Sequence, residues 1–123
     1  MTLEKQISLA ERVAAFVMQK LPSDLREAAK HCTVDFTTIE EARAADPSLE
    51  SDLLGLFEGN SRLEPQPETP DELPRVRLFL DNLWDFCEGD ATAFREEIRI
   101  TLLHELGHYL GLNEAQVEAL GLA

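Results

Sequence analysis

Apolar residues recur at three- and four-residue steps through Ile7, Ala10, Ala14, Val17 and Leu21, which predicts an amphipathic helix over residues 3–21. Ser8 and Glu11 have the spacing of a capping box, so a later start is also expected to be open to it. Pro22 stops this helix, and Ser23 and Asp24 are cap candidates for a short second one over 24–30. The period then changes. Thr33-Val34-Asp35-Phe36-Thr37-Thr38 alternates and is rich in β-branched and aromatic residues, so it reads as a strand. Glu40 to Ala45 reads as a helical turn ended by Asp46-Pro47. The apolar run Leu53–Gly59, with its glycines, reads as a short buried or edge strand. From Asn60 to Pro74 apolar periodicity lapses and four of the six prolines occur, which predicts a loop, with a flap beside a cleft as its functional role.

Arg75–Leu80 reads as a second alternating strand with Val76, Leu78 and Leu80 on one face, broken by Asp81-Asn82. Leu83–Cys87 adds apolar bulk before a turn at Glu88-Gly89-Asp90. A long helix follows from about Ala91 to Leu110, with Asp90 or Thr92 as cap and Glu96 and Glu97 expected near its positive end. At about 100° per residue, Leu102, Leu103, Leu106, Tyr109 and Leu110 cover one broad arc, and Glu97, Thr101, His104 and His108 form a separate stripe. The histidines therefore point away from the main packing, toward a cleft. A last short helix is expected over 114–120, with Asn113 as cap, Gln116 completing a capping box, and Leu112 and Val117 as a staple. Leu120 and Leu122 are expected to pack it back on the domain.

His104-Glu105-Leu106-Gly107-His108 carries the most specific chemistry in the chain. Residues four apart stand one above the other on a helix, so both imidazoles can reach one ion, and the offset Glu105 can reach a water on that ion without ligating it. Only three histidines are present, and two fall at this spacing around a glutamate. A chance match in a chain this short is expected at roughly a few per thousand. Gly111 then permits a turn that would strain a residue bearing a Cβ. A catalytic zinc takes three protein ligands and keeps one position for water. His104 and His108 supply two. Glu114, three residues after Gly111, is the leading candidate for the third, with Asn113, Glu118 and His31 as alternatives. The expected mechanism is peptide hydrolysis by a zinc-bound water, with Glu105 as general base and then as proton donor to the leaving amine.

Composition narrows the partners. At 123 residues the chain is long enough for one domain, 1–123, with a single modest core. A net charge of -13 argues against nucleic acid and anionic membrane, since neither polyanion is attracted to it. The first residues lack a basic stretch followed by an apolar run, and no segment approaches the roughly 20 apolar residues of a membrane span. Cys32 and Cys87 have neither C-x-x-C nor zinc-ribbon spacing, so both are expected to be reduced, buried thiols in a cytoplasmic protein.

The stretch from His104 to Glu114 resembles the long zinc motif of the metzincins, H-E-x-x-H-x-x-G-x-x-H, with Glu114 at the place of their third histidine. The residues after Glu114 contain no Met, which departs from the metzincin pattern of a downstream Met turn. The whole chain is similar to a family of small bacterial zincin-like metallopeptidases, or minimal zincins. The matching pieces are Leu21-Pro22, the strand at Val34, Asp46-Pro47, Leu54–Gly59, the strand Val76–Leu80 and Thr101–His108. That resemblance implies an α+β fold in which a small sheet packs beside the HExxH helix, with N-terminal and short C-terminal helices. It also implies zinc, Zn2+, as cofactor and a peptide or unfolded protein as substrate. The alternative function is a catalytically inactive zinc-binding or protein-interaction domain.

Overall fold

The computed structural model describes residues 1–65 and 74–121. The chain runs α1 (Leu3–Lys20), α2 (Ser23–Ala29), β1 (Thr33–Thr37), α3 (Ile39–Ala45), β2 (Gly55–Glu58), β3 (Arg75–Phe79), α4 (Leu80–Phe86), α5 (Ala91–Leu110) and α6 (Glu114–Ala119). This is the expected α+β architecture. Most of the expected loop 60–74, and the side chain of Leu122, lie outside the described residues.

The three strands form one sheet in the order β1-β3-β2. The central strand β3 pairs parallel with β1, Thr33 opposite Arg75 and Thr37 opposite Phe79. Parallel pairing needs a crossover, which the segment carrying α3 and β2 supplies. On its other side β3 pairs antiparallel with β2, Gly55 opposite Leu78 and Glu58 opposite Arg75. The β3 alternation separates two environments. Val76 and Leu78 are fully buried against α1 and α5, whereas Arg77 and Arg75 both donate to Glu58 Oε1, at 2.7 and 3.0 Å. Phe79 enters a second cluster with Ile39 and Ala42 of α3, so the sheet has apolar cover on both faces.

The main core is organised on α5. Phe94, Ile98, Leu102 and Leu106 are completely buried, along the arc the spacing predicts. Each such side chain contributes about 1.5–3 kcal/mol by leaving water. Across from them, α1 presents Leu9, Ala10, Val13 and Val17 rather than the expected Ile7 and Ala14, which are half-buried. The apolar stripe of α1 is therefore rotated slightly from the predicted one. The helix also starts early. The Thr2 hydroxyl accepts from the Lys5 amide at 3.2 Å, so Ser8 and Glu11 cap nothing and lie within the helix. Pro22, not Ser23 or Asp24, is the cap position of α2, which has no side-chain cap bond.

The strand ends one residue earlier than expected, at Phe79, and Asp81 and Asn82 lie in α4, which Leu80 opens. Both residues tie neighbouring segments together. The Asp81 carboxylate accepts from the Ile39 amide at 2.8 Å, at the start of α3. The Asn82 amide donates to the carbonyls of Ser51 and Leu53, each at 2.8 Å, fixing the approach to β2. Glu96 and Glu97 lie beyond the first turn of α5, which holds no acid. Asp90 caps that helix, its carboxylate accepting from the Ala93 amide at 2.9 Å.

No helix among the described residues is long and apolar enough to cross a membrane. Both cysteines are free thiols, Cys32 buried and Cys87 half-buried. Burial pushes the Cys32 thiol up to about 11. At pH 8 its thiolate fraction is then about 10⁻³, against roughly a quarter for an ordinary cysteine. Iodoacetamide at pH 8 is therefore expected to label Cys87 well before Cys32, as read by mass spectrometry of peptides over time. Equal labelling rates in folded protein would contradict the buried position of Cys32.

Candidate metal centre

The HExxH stretch occupies the last two turns of α5, where burial on one side leaves the opposite side open. His104 and His108 are exposed and Glu105 is half-buried. One donor atom from each of these three lies within 4.8 Å of the others, the single such group of histidine, cysteine and acidic side chains among the described residues. The two imidazole centroids are 5.1 Å apart with their planes at 87°. The helix alone brings the two histidines together, through the four-residue spacing.

What the helix cannot supply comes from β2. Phe57 lies parallel to the His108 ring, with centroids 6.5 Å apart and planes within 9°, an offset stack that restricts the imidazole. Phe57 also meets the Tyr109 ring at 6.1 Å. Two residues earlier, Gly55 allows β2 to come close to α5. A Cβ there would stand 2.8 Å from the Thr101 methyl and 3.3 Å from the Arg77 carbonyl oxygen. Between these elements is a pocket of about 290 Å³. Leu54 and Gly55 form its β2 side, and Glu97, Thr101, His104 and Glu105 its α5 side. The face of α5 that carries His104 and Glu105 and the edge strand thus share one cleft.

The carbonyl end of α5 is closed by three contributions. Gly111 adopts φ 74°, the left-handed conformation, and donates to the His108 carbonyl at 3.3 Å; the Leu112 amide donates to the Gly107 carbonyl at 2.9 Å. That pair of bonds is the Schellman closure. Arg62 covers the remaining carbonyls, its amide donating to Tyr109 and its Nε to Leu110, both at 2.8 Å. A guanidinium at a helix C-terminus also complements the dipole there. The requirement for glycine at 111 is conformational, since the nearest atom to a Cβ there belongs to the exposed, movable Leu63 side chain.

The turn at Gly111 delivers α6. Asn113 caps it in a complete capping box: Asn113 Oδ1 accepts from the Gln116 amide, and Gln116 Oε1 accepts from the Asn113 amide, both at 2.8 Å. The Asn113 carbonyl oxygen is thereby engaged in the cap. Val117 rests on Gly107, where a Cβ would come within 2.8 Å of its Cγ2. Glu114 is the first residue of α6 and is exposed; it stands outside the group formed by His104, Glu105 and His108. Glu118 is exposed on the same helix, and His31 is exposed in the turn between α2 and β1; neither joins the group. Tyr109 is buried, and burial first of all pushes its hydroxyl pKa up, in keeping with a core role.

Sequence reasoning located the three clustered residues but not Phe57, Gly55 or Leu54 as part of the cleft. The available signal was the alternation of Gly55 and Phe57 on one face of a strand bounded by glycines, which lacked a register to say what that face meets.

The contact at Gly55 is testable. Gly55→Ala is expected to lower stability by about 1–3 kcal/mol through overpacking, measured by urea unfolding. Adding Thr101→Ser, which removes the obstructing methyl, is expected to restore a large part of that loss. Equal destabilisation with and without Thr101→Ser would mean that β2 does not press on α5 at this point.

The sequence model of a family described as zincin-like metallopeptidase matches residues 28–122. No curated protein matches the chain significantly.

Proposed function

Because this chain belongs to the zincin-like metallopeptidase family, we propose that it is a zinc-dependent peptidase acting on short or unfolded peptides. The observation that carries the proposal is the convergence of two imidazoles and a carboxylate on the face of α5 that borders the β2 cleft. The donor set suits the metal. Neutral imidazoles with a carboxylate are common zinc ligands at bonds of about 2.0–2.2 Å, and the exposed His104 and His108 donors lie close enough for side-chain rotation to bring both to one ion. Glu114, exposed at the first position of α6, is proposed as third ligand.

When bound, zinc supplies Lewis acidity, activating water near neutral pH and polarising a carbonyl. The protein's own groups do the rest. His104 and His108 would hold the ion, and the Phe57 ring limits rotation of the His108 imidazole. The Glu105 carboxylate accepts a proton from the attacking water and returns it to the amine as the peptide C–N bond breaks. Among the described residues β2 pairs with β3 alone, at an edge of the sheet, and a strand in that position can add an extended peptide by backbone pairing. That pairing would lay a peptide carbonyl along the cleft toward Glu105. The shallow pocket supports a short, locally extended substrate rather than a folded surface.

Metal analysis of untreated protein is the decisive experiment. The expected result is about one zinc per chain in wild type, loss of zinc in His108→Ala, and weakened retention in Glu114→Ala. No zinc in wild type, and none taken up on addition, would overturn the proposal. Full retention in Glu114→Ala would remove Glu114 from the ligand set.

Glu105→Gln separates binding from turnover. It is expected to retain zinc while hydrolysis of a peptide library falls by about 10²–10⁴. Undiminished cleavage would exclude Glu105 as the base. Zinc binding with no cleavage by wild type would assign the metal to a non-catalytic role.

A further inference from the structure

On the opposite side of α5 lies a second cavity, of about 460 Å³, between that helix and α1. At about 100° per residue, Arg95 and Arg99 stand about 180° and 140° round the helix from His104. The floor is apolar, made by Leu9 and Val13, which α1 buries at their bases. Phe16 forms one wall and is 49% exposed, the largest aromatic face that α1 leaves in water. The rim is cationic. Arg12 comes from α1, and Arg95 and Arg99 from α5, one residue before and three residues after Glu96.

Charge makes this groove unlike the rest of the molecule. The chain carries 24 acidic residues against 11 lysines and arginines, yet three arginines converge here beside one glutamate. Arg99 pairs with Glu96. Among the described residues, Arg12 and Arg95 enter no ion pair. The buried Arg99 Nε has no hydrogen-bond partner there either, and an unsatisfied buried donor on a cation is costly. The groove therefore presents about two uncompensated charges and one idle donor above an apolar floor.

We propose that this groove binds a small amphiphilic oxyanion, its carboxylate or phosphate on Arg12, Arg95 and Arg99 and its apolar body on Leu9, Val13 and Phe16. Guanidinium groups match both headgroups through paired N–H donors. The cavity lies in the size range of small-molecule sites. The net charge of -13 disfavours an anionic bilayer as the source of the headgroup. The site is independent of the metal centre, which occupies the other face of α5.

The test is an NMR titration of full-length, ¹⁵N-labelled protein with octanoate and octyl phosphate, beside octanol and inorganic phosphate as controls. Saturable shifts are expected for both amphiphiles at Arg12, Phe16, Arg95 and the Arg99 side-chain Nε–H, with much weaker effects from either control. Arg12→Glu combined with Arg95→Glu is expected to weaken amphiphile binding at least about tenfold, and Phe16→Ala several-fold. His108→Ala is expected to leave it unchanged, which distinguishes the groove from a carboxylate bound at a metal. No binding, equal binding of octanol, or equal binding of inorganic phosphate would overturn the proposal. So would binding of phosphatidylglycerol vesicles in the absence of a response to the free amphiphiles.

Discussion

The burial of one side of α5 is the constraint on which the rest of the structure depends. Phe94, Ile98, Leu102 and Leu106 are inaccessible to water, and β3, α1, α2 and α4 are arranged around them. The elements packed on that broad buried arc hold the helix in one orientation. The orientation then fixes where His104 and His108 point. The candidate metal centre is consequently positioned by core packing rather than by a local loop, since its two histidines are carried on the helix that the core holds.

A helix face is not yet a cleft. The second wall is β2, placed by hydrogen bonds that originate far away in sequence. Asn82 grips the carbonyls of Ser51 and Leu53, the β3 register sets Gly55 opposite Leu78, and only then does Gly55 meet Thr101. The lack of a side chain at 55 lets the strand approach closely enough for Phe57 to lie along His108. Gly107 does the equivalent for α6, which Val117 brings against the same helix. Two glycines facing two different neighbours thus allow a strand and a helix to close on α5 around the HExxH turns.

Helical parts of this arrangement were legible in the sequence. The period of α5 and its Asp90 cap, the Gly111 stop, and the Asn113–Gln116 capping box are local features, determined within a few residues of themselves, and each is present as expected. The clustering of His104, Glu105 and His108 is also local, because spacing on one helix suffices for it. What sequence reading missed is relational. Leu80–Phe86 reads as strand end plus apolar bulk until Asp81 is seen to cap a helix 42 residues earlier in the chain, and a partner that distant leaves no periodic trace. The same holds for Phe57, whose significance depends on register against β3. The α1 stripe is a different case: Leu9, Val13 and Val17 recur at four-residue steps within α1, so its buried face is present in the local pattern beside the one expected.

Electrostatics divides the molecule along the same helix. With 13 more acidic than basic charges, the protein's field attracts divalent cations and repels anions over most of its surface. On the histidine face that field favours metal: Glu97 and Glu105 border the pocket. On the opposite face the sign is locally reversed by Arg12, Arg95 and Arg99. Most other arginines near the sheet are already engaged, Arg75 and Arg77 with Glu58, and Arg62 with the end of α5. Leaving Arg12 and Arg95 uncompensated in a protein with abundant acid is therefore a property of their placement, since the helices that carry them keep all but one carboxylate off the groove. A single helix can in this way separate a cation-seeking face from an anion-seeking one, because each set of charges acts mainly on solutes within a Debye length, about 10 Å, of its own face.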